Sequence, residues 1–280
     1  MTGALVRELL SASLTSVVDV GAAAMDGPAP YAGMLAAELC TVLGFEPQPD
    51  ELARLNARKS VLEHYQPDAI GCAGAGSLNI CAAPGMTSLL DPNPFALDAF
   101  PPFYEWGKVV CTEKIELVRL DDACGGRRVD FLKIDAQGSE LDIMMSGPDA
   151  LAQAAAVQLE VSFVPLYRDQ PTLGTIDLFM RSNGFLPHRF AAIKSWCVTP
   201  VKTPQGSQLL EADLVYVRDF TKMHAMTDRQ VVQMVMICHC IYGSFDLAAR
   251  CVQEFQKRSG KAGLLAKYIE IVRSAASRGI

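Results

Sequence analysis

In the run Val129-Asp130-Phe131-Leu132-Lys133-Ile134-Asp135-Ala136-Gln137-Gly138-Ser139-Glu140, a lysine stands among apolar residues, two positions before an aspartate. The run reads as a buried strand that ends in a carboxylate and passes directly into a glycine-containing turn. Side chains alternate along a strand, so Lys133 and Asp135 share a face. An ammonium buried without a partner is costly, so a carboxylate must meet Lys133. Open α/β sheets bind ligands at the carboxyl ends of their strands, where Asp135 sits. These residues alone leave two readings open: a ligand site at Asp135, or a structural ion pair beside a turn.

A second set of acidic residues marks other strand ends. Ser16-Val17-Val18-Asp19-Val20-Gly21 reads as a β-branched buried strand ending in glycine, and Thr41-Val42-Leu43-Gly44-Phe45-Glu46 as another, closed by Pro47. With the helix between them they form a βαβ unit. Glu46 follows Gly21 by 25 residues, a spacing at which a carboxylate can accept both hydroxyls of a ribose. The dinucleotide fingerprint needs two more glycines after the first, but Ala23 and Asp26 stand there. A carboxylate beside a pyrophosphate repels it. The expected ligand is therefore a nucleoside without phosphate, and S-adenosylmethionine fits, with its ribose, ammonium and sulfonium. The structural alternative is that Glu46-Pro47 simply caps a strand.

The elements that must carry these residues follow from periodicity. A helix is expected over 5–10, a strand over 16–21, a helix from Pro30 to about Cys40 and a strand over 41–46. Asp50 reads as the N-cap of a helix to about Lys59. Strands follow over 65–71 and 77–82. Residues 84–107 break the pattern with five prolines and the aromatic residues Phe95, Phe100, Phe103, Tyr104 and Trp106. This excursion either lies over a substrate pocket or is a surface loop packed by its own aromatics. The pattern resumes with strands over 115–120, 129–135, 156–161 and 212–217 and helices over 141–145 and 175–182. Alternation of this kind implies a mainly parallel sheet with helices on both faces. After Asp219 the chain reads as wholly helical, with Gly243-Ser244 separating two helices. Their apolar residues, including Val231, Val235, Ile237, Leu247 and Phe255, could dock on the main domain or on a second subunit. The division expected is a domain over 1–220 and a helical C-terminal extension over 221–280.

Composition narrows the classes. The chain has 280 residues, half of them hydrophobic, and a net charge of −6. It has no Lys/Arg-rich block, which argues against a nucleic-acid or anionic-membrane surface. No apolar run approaches the length of a membrane span, and the N-terminus reads as a helix, not a signal peptide. Nine scattered cysteines with no C-x-x-C pair fit reduced thiols in a cytoplasm. Cys238-His239-Cys240 cannot converge on one metal ion from a helix, where adjacent residues point about 100° apart. His64, His188 and His224 have no flanking catalytic motif.

The ordered set Val18-Asp19-Val20-Gly21, Gly44-Phe45-Glu46-Pro47, Leu120-Asp121-Asp122, Lys133-Ile134-Asp135 with Gly138-Ser139-Glu140, Leu159-Glu160-Val161-Ser162-Phe163, Pro165-Leu166-Tyr167 and Gly184-Phe185 resembles the FkbM-family S-adenosylmethionine-dependent methyltransferases over about residues 15–220. The Lys-Ile-Asp-x-x-Gly-x-Glu element is the most specific part. The resemblance implies a Rossmann-like class I methyltransferase sheet with a reversed late strand. It also implies O-methylation of a hydroxyl on a sugar, polyketide or other secondary metabolite. By position, Asp19 and Gly21 would face the methionine part, Glu46 the ribose, and Asp68-Ala69 the adenine. The sequence departs from the family pattern in the loop Ala22-Ala23-Ala24-Met25-Asp26-Gly27-Pro28, and Gln137 stands where an acidic residue is frequent.

Methyl transfer needs the acceptor hydroxyl in line with the methyl group, and positioning alone can contribute roughly 7–11 kcal/mol. A general base adds about 10²–10⁴-fold. Asp135 is the first candidate and Glu160, at the end of the expected neighbouring strand, the second. The two could also hold Mg²⁺ or another divalent cation that acidifies the hydroxyl. Alternatively, Glu160 pairs with Lys133 and is structural. Glu140 is expected to accept hydrogen bonds from the turn's own amides. The expectation is thus a cytoplasmic enzyme acting on a small molecule, with neither a nucleic-acid nor a membrane partner, that could self-associate through its C-terminal helices. A nicotinamide-dependent oxidoreductase and a non-catalytic assembly subunit of the same fold are the alternatives.

Overall fold

The computed structural model describes residues 2–23, 27–200 and 206–276. Helix α1 (Thr2–Leu10) leads into β1 (Thr15–Val20), α2 (Ala32–Ala36), β2 (Cys40–Phe45), α3 (Pro49–Arg58) and β3 (Glu63–Gln66). A small sheet follows, made of β4 (Ala69–Ile70), β5 (Gly74–Cys81) and β6 (Val109–Val118), with α4 (Pro94–Asp98) and α5 (Phe103–Trp106) between β5 and β6. Then come α6 (Leu120–Cys124), β7 (Phe131–Ile134), α7 (Glu140–Met145), α8 (Pro148–Gln153), β8 (Ala156–Ser162), α9 (Leu173–Ser182), β9 (Phe185–Trp196) and β10 (Gln208–Arg218). The chain ends in α10 (Asp228–Cys240), α11 (Phe245–Ser259) and α12 (Leu264–Ala276).

The main sheet has the order β3-β2-β1-β7-β8-β10-β9. Its first five strands run parallel, and β10 is antiparallel to both β8 and β9. The carboxyl ends of β1, β2 and β7 therefore lie side by side. Alternation gives the sheet two apolar faces. Val18, Val20, Leu132, Ile134, Leu159 and Val161 pack with Leu120, Ile143, Leu151 and Met180 of helices α6 to α9 on one side. Val17, Val42, Phe131, Ala156 and Val217 pack on the other side with α1 and with Val231, Val235, Leu247, Cys251 and Tyr268 of the C-terminal helices. Polar ties reinforce this second contact. Arg229 Nε donates to Asp130 Oδ1 at 2.8 Å, and Thr15 Oγ1 donates to Gln233 Oε1 at 2.7 Å. The capping box Thr227–Gln230 starts α10. Among the described residues, no helix is long and apolar enough to cross a membrane.

Several elements differ from the pattern expected. The helix after Pro30 stops at Ala36, because Cys40 already opens β2 and Glu38 turns the chain with φ +56. Asp50 lies in the first turn of α3, whose N-cap is Gln48. The strand expected over 65–71 is two strands in two sheets, parted around Asp68. The helical tail contains three helices where two were expected. Strand β9 was not anticipated at all. It lies at the sheet's edge with most of its residues exposed or half-buried, so no hydrophobic alternation announces it.

Candidate active site at the strand ends

The site begins where the turn after β1 crosses the end of β7. Gly21 has φ +73, and a Cβ there would lie 1.9 Å from the Asp135 carbonyl oxygen. Only glycine allows both the conformation and the approach. The amides of Gly21 and Ala22 donate to Phe45 O at 3.0 and 3.1 Å, which ties the β1 turn to the end of β2.

Lys133 is held at this crossing. Its ammonium donates to Gly21 O at 2.8 Å and lies 3.2 Å from Asp19 Oδ1 and 3.8 Å from Asp135 Oδ2. The carboxylate required by the sequence is thus Asp19, which the β1–β7 register places directly beside Lys133. Burial opposes the charged form of Lys133, but Asp19 and Asp135 outweigh it and its pKa rises above the usual lysine value. Tyr31 donates to Asp19 Oδ2 at 2.6 Å. Burial raises the Asp19 pKa, against the pull of Lys133 and Tyr31.

Glu160 does not pair with Lys133. The β8 residue in register with Lys133 is Gln158, and Glu160 lies two positions further on, 3.7 Å from Lys194. Burial, with the charges of Glu211 and Asp135, pushes the Glu160 carboxyl well above the usual carboxylate range. A carboxyl held toward its protonated form is a poor proton acceptor. Asp135 is better placed. Its side chain is 34% exposed and lines both cavities that meet at the strand ends, whereas Glu160 lines neither. Among the described residues, no group of three or more His, Cys, Asp or Glu side chains gathers as a metal site.

The larger cavity, about 750 Å³, runs from the tip of β2 to β9 and β10. Gly21, Glu46, Asp68, Ala69 and Asp135 all line it. At the β2 end, Glu46 is buried, and its oxygens accept from the amides of Ala23 at 3.2 Å and Gln48 at 2.9 Å. Burial raises its pKa despite these two bonds. A carboxylate offers about four acceptor sites, so both oxygens can still accept from ligand hydroxyls. Asp19 stands apart from the other expected cofactor residues. It lines a smaller cavity of about 330 Å³ with Lys133, Gln158, Arg189 and Tyr242, and this cavity meets the larger one at Ala23, Asp135 and Asp213. Of the loop over 22–28 that departs from the family pattern, Ala22, Ala23, Gly27 and Pro28 line the smaller cavity, and Ala24, Met25 and Asp26 lie outside the described residues.

The far end of the cavity joins Phe103 and Trp106 of the excursion to residues that the sequence did not single out, Trp196 among them. Trp196 of β9 meets Phe103 and Trp106 edge-to-face, with ring centroids 4.9 and 5.9 Å apart, and Phe103 and Trp106 lie 5.2 Å apart. All three line the cavity, beside Lys194, Glu211 and Asp213. The excursion over 84–107 fits both of its readings. Met86, Leu97, Phe100 and Phe103 form a core of their own with Tyr167 and Leu210, while residues 84–89, Phe103 and Trp106 wall the cavity. In the turn after β7, Glu140 Oε1 accepts from the amides of Ala136 at 3.0 Å and Gly138 at 3.1 Å, as expected. Burial outweighs these bonds and raises the Glu140 pKa to about 7.

The chain matches the methyltransferase FkbM domain over residues 19–187, from the carboxylate beside Lys133 into β9. It belongs to the FkbM methyltransferase family. The parallel core with its reversed β10 is the class I methyltransferase sheet, and family membership makes the protein an S-adenosylmethionine-dependent methyltransferase. The family's cofactor suits the residues present: bare backbone at Gly21, a buried carboxylate with acceptor capacity at Glu46, and no glycine-rich phosphate cradle in the sequence. Similar solved structures include a precorrin-6y C5,15-methyltransferase from Geobacter metallireducens GS-15, with 14% identity, 77% of this chain and 87% of that chain covered, and a TM-score of 0.35. Another is a SAM-dependent methyltransferase from Aquifex aeolicus, with 12% identity, 76% and 88% covered, and a TM-score of 0.33. No curated protein matches the chain significantly.

Proposed function

We propose that this FkbM-family enzyme O-methylates a hydroxyl of a small molecule, a sugar, polyketide or other secondary metabolite, with Asp135 as the proton acceptor. The observation that carries the reading is the position of Asp135. It is a partly exposed carboxylate on the wall of one cavity that has Glu46 at one end and an aromatic corner at the other. S-adenosylmethionine supplies the methyl group on a sulfonium that leaves as a neutral thioether. Glu46 holds the ribose hydroxyls and the Asp68-Ala69 segment borders the adenine. Phe103, Trp106 and Trp196 hold the apolar face of the acceptor. Asp135 takes the acceptor's hydroxyl proton as that oxygen gains the methyl group. An acidic chain with no basic block favours a small acceptor in the cytoplasm over nucleic acid or membrane.

The test is binding. S-adenosylmethionine and S-adenosylhomocysteine should raise the melting temperature, and NAD should not. By calorimetry, Glu46→Ala should weaken S-adenosylhomocysteine by roughly 1–3 kcal/mol, the cost of losing a charged acceptor. Tight NAD binding without response to the S-adenosyl compounds would sink the reading. Unchanged affinity in the variant would remove Glu46 from the site.

A further inference from the structure

The Asp135 carboxylate is met on both oxygens. Lys133 lies 3.8 Å from Oδ2, and Gln137 Nε2 donates to Oδ1 at 3.1 Å. Gln137 is itself held at three points. Its backbone adopts the left-handed region with φ +51, its carbonyl accepts from Ser88 Oγ at 2.6 Å, and its Oε1 accepts from the Tyr167 hydroxyl at 3.2 Å. Tyr167 is buried, and its amide donates to Gln170 Oε1 at 3.2 Å. Its hydroxyl also reaches Met86 O at 3.2 Å.

The chemistry of an amide makes this arrangement directional. A carboxamide has a donating and an accepting end. A phenol hydroxyl that donates to Oε1 leaves Nε2 facing Asp135. Reversed, the amide would turn an acceptor toward a carboxylate, which repels it. Asp135 needs such help because most charged groups around it are acidic: Asp19 on β1, Glu140 on α7, Glu160 on β8 and Asp213 on β10, which lines the same cavities. Lys133 is the cation that meets it among the described pairs.

We propose that Gln137, oriented by the Tyr167 hydroxyl, is a positioning residue that fixes the Asp135 carboxylate for proton acceptance. It also ties Asp135 to the cavity wall at Ser88, whose hydroxyl donates to the Gln137 carbonyl, so that the excursion over 84–107 and the base are joined through Gln137. This inference rests on the reading of Asp135 as base.

The test reads Asp135 directly. Protein with ¹³C-labelled aspartate carboxyls, saturated with S-adenosylhomocysteine, is titrated by NMR, and the Asp135 signal is assigned by its loss in Asp135→Asn. Removing a hydrogen bond to the ionised form weakens the acid. Gln137→Leu should make Asp135 a roughly tenfold weaker acid. Gln137→Glu should weaken it further by placing a second carboxylate beside the first. Tyr167→Phe, which keeps the ring and removes only the hydroxyl, should shift it in the same direction by less. Titration of Asp135 as in wild type in both Gln137 variants overturns the proposal. A wild-type titration in Tyr167→Phe alone overturns the role of Tyr167. In parallel, methyl transfer from S-adenosylmethionine to a panel of glycosides and macrolide aglycones is measured for Asp135→Asn. Near-normal turnover there overturns the base reading, and the positioning role with it, whatever the titrations show. Loss of transfer with unshifted titrations overturns the positioning role alone.

Discussion

Asp135 and Glu140 lie five residues apart in one turn, and their surroundings give them opposite tasks. Asp135 faces Lys133 and Gln137 and opens onto the cavity. Glu140 is buried and spends its carboxylate on the amides of Ala136 and Gly138. Burial outweighs these bonds and raises its pKa. Asp135 is therefore open to the cavity, and Glu140 closes the turn that carries it. The same residue class separates into a cavity-facing carboxylate, proposed above as the base, and a brace, according to partner and exposure.

Three substitutions probe this contrast. The largest effect is expected at Asp135. Asp135→Asn keeps the shape and removes the charge, so methyl transfer should fall by about 10²-fold or more, while S-adenosylhomocysteine binding changes little. Turnover near wild type would return Asp135 to the structural class of Glu140. Metal dependence is separable in the same assay. Loss of wild-type activity in EDTA, restored by Mg²⁺, would assign Asp135 to a cation and not to the proton.

The next effect is on stability. Lys133→Met leaves Asp19 buried with Tyr31 alone and should cost about 3–5 kcal/mol in urea unfolding, the usual penalty for breaking a buried pair. An unchanged midpoint would mean that water reaches this ion pair.

The smallest effect separates Glu140 by pH. Its carboxyl titrates at about 7 in the folded chain, above an ordinary value of 4.5. The stability contributed by protonation is complete below about 4.5 and is lost as pH rises through about 7, by roughly 3 kcal/mol at most. Glu140→Gln can still accept from the two amides but does not titrate. Its melting temperature should fall less than that of wild type between pH 5 and 8. Parallel curves would show that Glu140 titrates as it does in water.

The parts legible in the sequence were those in which burial and charge conflict. Lys133 inside an apolar strand demanded a carboxylate, and the β7 strand, its turn and the role of Glu140 follow from a single motif. The partner's identity was not legible, because it depends on the β1–β7 register, which sets Asp19 beside Lys133 and carries Glu160 away to Lys194. Glu46, Asp68 and Ala69 reach one cavity because β2 and the start of the small sheet end near it. The aromatic end of the cavity was hidden for a different reason. Trp196 sits on an edge strand with little alternation, and Phe103 and Trp106 sit in an irregular excursion. Only long-range packing brings these three rings together. The hydroxyl contacts of Tyr31 and Tyr167 were not legible, because an aromatic residue in an apolar stretch gives no sign of where its hydroxyl points.

The helices after Asp219 carry a consequence for how this gene product can be cut or fused. They cover the sheet face on which Phe131 and Ala156 lie, and Tyr242 donates to Gln158 at 2.9 Å, one strand away from Lys133. The change to an all-helical pattern draws a seam at Asp219, but the seam runs through a shared interior. A shortened chain would open that interior to solvent beneath β7 and β8, and a fusion partner spliced in at the seam would have to leave the helices free to return. In engineering terms, the tail is the second cover of the sheet.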